Sequence, residues 1–306
     1  MKTYIKVIGI GNSGISAVHR MKKSGITNVE FWCMDTDLST LQNSNCANKL
    51  QLGVQSVGGL GTNGNPQIGM LAAQEVRQDI VQAIAGADIV FVVSGMGGGT
   101  GTGASPIVAN IAKISGALTI GVVSEPFSFE GRNRRVAAQQ GVNGLRIYTD
   151  SIYAIQNDKL LPYVDRKCRL IDSFILVDEV ICRFTQTIVD IVNVKCEEAI
   201  TMLKSAGIID MGLGIAFGDR RGENATTIAI NSSLLRKPIC NVSNMIAVIS
   251  GGKDLTSHET EFVYDYIKDF FCDGTNIIVG VTNDDDLTGE IQITLIVSHN
   301  SNLPNN

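Results

Sequence analysis

Residues Gly95 to Gly103 read GMGGGTGTG: nine residues, six of them glycine and none charged. Such a stretch offers no side chain larger than a threonine or a methionine, so whatever it holds it holds with its backbone. Glycine lets the main chain approach a neighbour more closely than any Cβ permits. The natural partner of a run of bare N–H groups is an anion. The stretch follows the apolar run DIVFVVS at Asp88–Ser94 and precedes a helical pattern at Ala104–Ile114, with Pro106 in its first turn, where proline is tolerated. A glycine loop between a buried strand and a helix start gathers orphan N–H donors and about half a positive charge at one point. Thr100 and Thr102 add hydroxyl donors. No Gly-Lys-[Ser/Thr] follows, so the loop is not a Walker A P-loop.

A second glycine loop lies near the start of the chain. Tyr4–Ile10 reads as a strand, Gly9-Ile10-Gly11-Asn12-Ser13-Gly14 follows, and Ile15–Lys22 has a helical pattern. This is formally the dinucleotide fingerprint, and Asp35 stands at about the expected spacing at the end of the next strand, Val29–Met34. It reads either as a phosphate site or as a tight strand–helix turn that needs glycine. Further on, Thr36–Gln42 looks helical, Gln55–Pro66 reads as a loop, Gln67–Ala85 as one amphipathic helix stopped by Gly86, and Leu118–Ser124 as a strand. Alternating strands and helices predict an α/β fold with a parallel sheet covered on both faces. Ligands of such sheets sit at the carboxyl ends of the strands. Both glycine loops are expected on that rim.

The second half has a different texture. Residues 170–192 predict one long helix, with an apolar stripe of Ile171, Phe174, Val177, Ile181, Phe184, Ile188 and Ile191. Met202–Ala206 closes a second helix. Helices are expected over Glu223–Leu234 and His258–Phe271, and strands over Gly212–Gly218 and Asn244–Ser250. Asn276–Thr282 and Glu290–Val297 are expected to pair as a hairpin across NDDDLTG. This half reads as a smaller α/β or α+β domain joined through the long helix.

Composition narrows the function classes. A net charge of −5 argues against a nucleic-acid partner or direct contact with an anionic membrane. Seven cysteines, an odd number with no CxxC spacing, point to reduced thiols in a cytoplasmic protein. The three histidines are too scattered for a His-rich metal site, and no apolar run reaches the length of a membrane span.

At Gly97–Gly103 the sequence GGGTGTG resembles the signature of the tubulin and FtsZ superfamily. IKVIGIGNSGISAVHRM (5–21) is similar to the first phosphate loop of bacterial FtsZ, and GLGTNGNP (59–66) to its third loop. EPFSFEGRNRR (125–135) and IQNDKLLP (155–162) resemble its ribose-loop and sixth-loop segments. The likeness extends over essentially the whole chain. It implies a parallel-sheet GTP-binding domain over 1–169, a central helix over 170–192 and a C-terminal activation-type domain over 193–306. It also implies a cytoplasmic, filament-forming cytoskeletal protein of cell division that joins copies of itself head to tail. Carried over by position, Gly11, Asn12, Gly14, Gly97, Gly98, Gly99, Thr100, Gly101 and Thr102 would hold the phosphates of GTP or GDP, with Mg2+ as a companion cation. Glu130 and Arg134 would face ribose and phosphate. Phe174 would stack on the base, and Asp178 or Glu179 would read the two adjacent donors of guanine, for which a carboxylate is the matching acceptor.

The chain departs from that family where the family's catalytic loop should be. The family pattern Asn-x-Asp-x-x-Asp, which acts on the nucleotide of the neighbouring subunit, is matched here by Asn193-Val194-Lys195-Cys196-Glu197-Glu198. Asn193 is kept, Glu198 stands for the second aspartate, Lys195 replaces the first, and the loop reads as shortened. An ammonium has no acceptor with which to position attacking water, so hydrolysis is expected to be slow or impaired. Lys195, Glu197 and Glu198 also suit the polar start of the next helix. Asp35 stands where the family shows asparagine, and Asp178-Glu179 where it shows Asn-Asp. The chain ends in SNLPNN, so tail-docking division partners are not expected to bind through the usual peptide. The alternatives are a fully active polymerising GTPase and an NAD-dependent oxidoreductase. The oxidoreductase reading has no use for the second glycine loop and lacks an evident catalytic His or Tyr-Lys pair.

Overall fold

The computed structural model describes residues 3–164, 167, 169–194, 196–236, 242–271 and 274–299. It divides into two compact units, Met1–Gln186 and Thr187–Asn306.

In the first unit, strands β1 (Ile5–Ile10), β2 (Val29–Asp35), β3 (Asn48–Gln51), β4 (Ile89–Gly95), β5 (Leu118–Glu125) and β6 (Ser151–Gln156) lie in the order β3-β2-β1-β4-β5-β6. Every pairing among them is parallel. The chain steps outward from β1 in one direction, then returns to β4 and steps outward in the other. The switch point therefore lies between β1 and β4, the two strands followed by the glycine loops. Both strands are buried almost end to end, as a sheet covered on both faces requires. The helices are α1 (Gly11–Lys23), α2 (Leu38–Asn43), α3 (Pro66–Glu75), α4 (Arg77–Ile84), α5 (Thr100–Ile114) and α6 (Arg132–Ile147), followed by α7 (Leu170–Val194), which crosses the boundary between the units.

The second unit contains α8 (Cys196–Lys204), β7 (Gly207–Phe217), α9 (Arg221–Ile230), β8 (Val242–Gly251), α10 (Ser257–Phe270), β9 (Asn276–Asn283) and β10 (Glu290–His299). Its strands run in the order β7-β10-β8-β9. Ala225, Ala229, Val263 and Ile267 of α9 and α10 pack on Met245, Ala247, Ile293 and Leu295 of the sheet.

Two expected features are corrected. Gln67–Ala85 is not one helix: α3 and α4 break at Val76, whose backbone leaves the helical region at φ −102 and ψ 29. At the break the Glu75 carboxylate accepts the N–H groups of Gln55 and Ser56 at 2.8 and 2.9 Å, tying it to the preceding loop. Both halves bury apolar residues, so the sequence period runs through the break. Nor do β9 and β10 form a hairpin. β10 is antiparallel to both β7 and β8, while β9 is parallel to β8 on its other side. The turn-rich connection passes over the end of β8, where Asp284 N–H donates to Gly251 O at 2.9 Å and Gly289 N–H to Asp254 Oδ2 at 3.1 Å. Turn residues alone do not distinguish a tight hairpin from a connection that skips one strand.

Helices α3 and α5 cross with backbone in contact. A Cβ on Gly103 would lie 2.0 Å from Pro66 O, and one on Gly69 would lie 2.3 Å from Gly99 O. Gly103→Ala must therefore push two helices apart, and overpacking of this kind costs about 1–3 kcal/mol. Gly144→Ala in α6, where the nearest atom is Pro106 Cγ at 3.7 Å, should be neutral or slightly stabilising. Chemical unfolding of the two variants side by side checks this; equal stabilities would contradict the packing.

Candidate functional site

The carboxyl-end rim of the first unit holds a cavity of about 680 Å3, within the range of small-molecule sites. It is built where α1 and α5 begin. Helix α1 starts directly at Gly11, which follows Ile10 with φ +72, and no side chain caps it. Helix α5 starts at Thr100 after Gly99, again with no side-chain cap. Two helix starts thus present uncapped N–H donors to one cavity, lined by Gly11, Asn12 and Ser13 on one side and Gly98, Gly99, Thr100 and Gly101 on the other. A Cβ on Gly98 would enter open space, while one on Gly101 would meet Gly95 O at 2.5 Å. The loop is therefore packed tightly from behind and open in front.

Gly97 and Thr102 serve this loop from behind and do not line the cavity. Gly97 has φ +97, and its N–H donates to the Thr102 hydroxyl at 2.9 Å. Gly14 is buried outside the lining, with Val93 O 2.4 Å from where its Cβ would stand. Thr100, by contrast, lines the cavity, and its hydroxyl is 2.7 Å from that of Thr36.

The other walls come from separate elements. Glu130 closes a short 3-10 turn and Arg134 lies in the first turn of α6; the two form an ion pair and both line the cavity. Phe174 and Asp178 come from the first turns of α7, with Ile171 and Val177 beside them. Phe174 meets Phe127 edge-on at 5.4 Å between ring centroids. The apolar stripe of α7 thus changes role along its length: Ile181, Phe184, Ile188 and Ile191 are core, Val177 is buried and also lines the cavity, and Ile171 and Phe174 face it.

The two neighbouring carboxylates of α7 have different partners. Asp178 Oδ2 accepts the Ser16 hydroxyl at 2.6 Å and lines the cavity. Glu179 pairs with Arg20 at 3.4 Å and does not. Burial pushes the Asp178 carboxyl up to about 6, against the opposing pull of Ser16 and Arg20. Asp35 also lines the cavity, and burial raises its carboxyl above the ordinary range. Its Oδ1 accepts the N–H groups of Thr36 and Asp37 at 2.7 and 3.2 Å, so the charge is met locally by backbone.

Several cavity residues were not singled out by the sequence. Asn157, in the segment IQNDKLLP, is 4% exposed, and its Oδ1 has no hydrogen-bond partner. A buried, unpaired acceptor on a cavity wall is suited to a donor from a bound molecule. Thr36, Asp37, Thr40 and Leu60–Gly64 complete the rim. Of the catalytic candidates, Asn193 is exposed in the last turn of α7, and Glu198 is exposed in the first turn of α8 beside Glu197. Both belong to the second unit. Lys195 lies outside the described residues. Among the described residues no cluster of three or more His, Cys, Asp or Glu side chains could hold a metal ion, and no helix is long and apolar enough to cross a membrane.

A carboxyl raised to about 6 favours the folded state while it is protonated. Its contribution is fully present below about pH 4, the ordinary carboxyl value. It is lost as pH rises through about 6 and the folded chain must carry a buried charge. Asp178→Asn in the ligand-free chain should therefore be more stable than the parent at pH 8, by roughly 2–3 kcal/mol, and equal to it below about pH 4. Urea unfolding at the two pH values checks this; a pH-independent difference would contradict the burial argument.

Residues 4–165 match the Tubulin/FtsZ family, GTPase domain, and residues 207–300 match the FtsZ family, C-terminal domain. An FtsZ dimer from M. jannaschii superposes with a TM-score of 0.93 at 32% identity, covering 97% of this chain and 88% of that one. CetZ2 from Haloferax volcanii, solved as a GTPγS-bound protofilament, gives 0.81 at 20% identity, covering 97% and 93%. CetZ1 from the same organism, solved as a GDP-bound monomer, gives 0.81 at 19% identity, covering 99% and 96%. The last two likenesses concern the fold alone. With a GTPase-domain match over more than half its length and the FtsZ-type C-terminal match after it, the chain belongs to the Tubulin/FtsZ family.

Proposed function

We propose that this chain binds GTP or GDP at the cavity of its first unit and assembles with copies of itself into filaments, with slow hydrolysis. The observation that carries the reading is the convergence of two uncapped helix starts on a cavity whose far wall holds a half-buried ring and a carboxylate. Amides suit phosphate oxygens. Phe174 offers a face to the base, and Asp178 offers an acceptor to the adjacent ring N–H and amino groups of guanine. Asn157 Oδ1 supplies a further acceptor for the same ligand, and Glu130 with Arg134 stands where ribose and phosphate would meet. Gly14, Gly97 and Thr102 would then act by holding the loops in place. Mg2+, where it accompanies the nucleotide, would be held chiefly by phosphate oxygens and water.

In this reading residues 1–169 form the GTP-binding domain, 170–192 the central helix and 193–306 an activation-type domain. Asn193, Lys195 and Glu198 act on the nucleotide of the next subunit. The dimer of the M. jannaschii FtsZ supports self-association of this chain. A nucleotide face meeting a different face of the next copy is a heterologous contact, which propagates as an open filament. A role in cell division rests on family likeness. Slow hydrolysis rests on Lys195, whose ammonium can neutralise a γ-phosphate but cannot accept a proton from water.

Purified protein should release guanine nucleotide on denaturation, and calorimetry should show GTP binding with ATP at least tenfold weaker. Asp178→Ala should weaken GTP about 10–100-fold, the worth of hydrogen bonds to a charged group. Phosphate release should stay low as protein concentration rises and filaments form, and Lys195→Asp should raise it. Protein that is empty and indifferent to guanosine compounds contradicts the site. Brisk turnover by the parent chain contradicts only the account of Lys195.

A further inference from the structure

Two of the seven cysteines are brought together by the fold. Cys33 lies in β2, and Cys46 lies two residues before β3, in the connection from α2. The parallel register sets Trp32 opposite Asn48 and Cys33 opposite Lys49, which draws the connection back over β2. Cys46 Sγ donates to Phe31 O at 3.4 Å. Ser44 Oγ donates to Cys33 Sγ at 3.6 Å and accepts the N–H of Cys46 at 3.1 Å. Ser44 Oγ thus touches both cysteines, the sulfur of Cys33 and the N–H of Cys46.

Their surroundings favour a negative charge on one sulfur. Lys22 Nζ donates to Asn45 O at 2.6 Å, and Lys22 and Lys49 both act on Cys46. The hydrogen bond from Cys33 contributes most to lowering the Cys46 thiol, to about 7, helped by the Asn48 backbone N–H and the two ammonium groups and opposed by burial. Cys33 moves up, through its interaction with Cys46 and through burial. Cys182, by contrast, is raised by burial, with Ser24 Oγ 3.0 Å from its sulfur. The Cys46 sulfur is covered, and both its chain neighbours, Asn45 and Ala47, are exposed, which places it one residue from solvent along the connection.

We infer that Cys46 and Cys33 form an oxidation site for hydroperoxides, with Cys46 as the attacking thiolate and Cys33 as the resolving thiol. The Cys46 sulfur attacks one peroxide oxygen. An S–O bond forms, the O–O bond breaks, and the departing oxygen leaves as water or alcohol after taking a proton. The Cys33 sulfur then attacks the sulfenic sulfur. An S–S bond forms, the S–O bond breaks, and hydroxide leaves as water with the Cys33 proton. Two thiols lose two electrons and the peroxide gains them. The thiolate is the nucleophile, so reactivity follows thiolate population and approach. The product ties β2, two residues before the cavity residue Asp35, to the chain entering β3.

The chain supplies its own assay. Trypsin releases residues 24–49 as one peptide, with no Lys or Arg before its terminal Lys49 and with both cysteines inside. Native protein treated with hydrogen peroxide, quenched, unfolded, alkylated and digested should yield this peptide unalkylated and lighter by two hydrogens. Reduction should restore two alkylation sites. Cleavage ahead of Asp35 and Asp37 should leave the two halves linked. Both thiols should be lost at least tenfold faster than that of Cys182. In Cys33→Ser, Cys46 should persist as a sulfenic acid trapped by dimedone; in Cys46→Ser, position 33 should stay reduced. Loss at the same rate as Cys182, full alkylation after treatment, or linkage of either cysteine to a different one overturns the inference, and the digest of the unmutated chain decides this without any variant.

Discussion

Backbone carbonyl oxygens occupy the space where side chains would otherwise stand at the rim of the first unit, and the cavity depends on that contact. Gly14 O lies 2.6 Å from the Cβ position of Gly9, Gly95 O lies 2.5 Å from that of Gly101, and Pro66 O lies 2.0 Å from that of Gly103. Each is well inside the separation a methyl group tolerates. Helices α1, α3 and α5 can therefore sit against the strands and against each other at main-chain distance, and the first amides of α1 and α5 reach one cavity. A single methyl at these places would move a helix rather than a side chain, because interiors are packed without slack.

A site of this kind handles negative charge without relying on unpaired cations. Arg134 lines the cavity but is tied to Glu130, and the Asp35 carboxylate is satisfied by two amides of its own turn. The donors that remain at the glycine loops are the backbone N–H groups of two uncapped helix starts, fixed by helix geometry and insensitive to pH. Preorganised dipoles lose little on binding, since they need not be reoriented. The same geometry accounts for four of the loop's glycines: a side chain at Gly97, Gly99, Gly101 or Gly103 would displace the backbone that supplies the amides.

The parallel sheet, the shared rim and the two glycine loops were legible in the sequence because each rests on a local rule. A buried run reads as a strand, and a glycine run after it marks a close approach. Phe174 and Asp178 were legible only through family likeness, since the stripe of α7 continues unbroken from core into cavity. Asn157 carried no signal of its own, because a buried amide left unpaired is a property of the folded neighbourhood. The break at Val76 and the separation of β9 from β10 were hidden for a different reason. Hydrophobic period and turn residues describe a segment, whereas the Glu75 bonds to Gln55 and Ser56 and the bond from Asp284 to Gly251 are long-range events. Cys33 and Cys46 likewise become a pair only once β3 has docked on β2.

Helix α1 links the two ends of the site. Its first residues supply amides to the cavity, and one turn later Ser16 holds Asp178 while Arg20, four residues on, holds Glu179. Residues four apart share a helix face, so a single face of α1 engages both carboxylates in register. That register decides which of two adjacent acids faces the cavity: a polar hydroxyl receives Asp178 at the wall, and a guanidinium holds Glu179 outside it. The separation between the amide cradle and the acceptor carboxylate is then set by helical rise along α1, about 1.5 Å per residue. A ligand with an anionic group at one end and paired donors at the other is measured against that fixed length. Exchanging Ser16 and Arg20 for other residues would disturb the ruler while leaving every residue of the glycine loops in place.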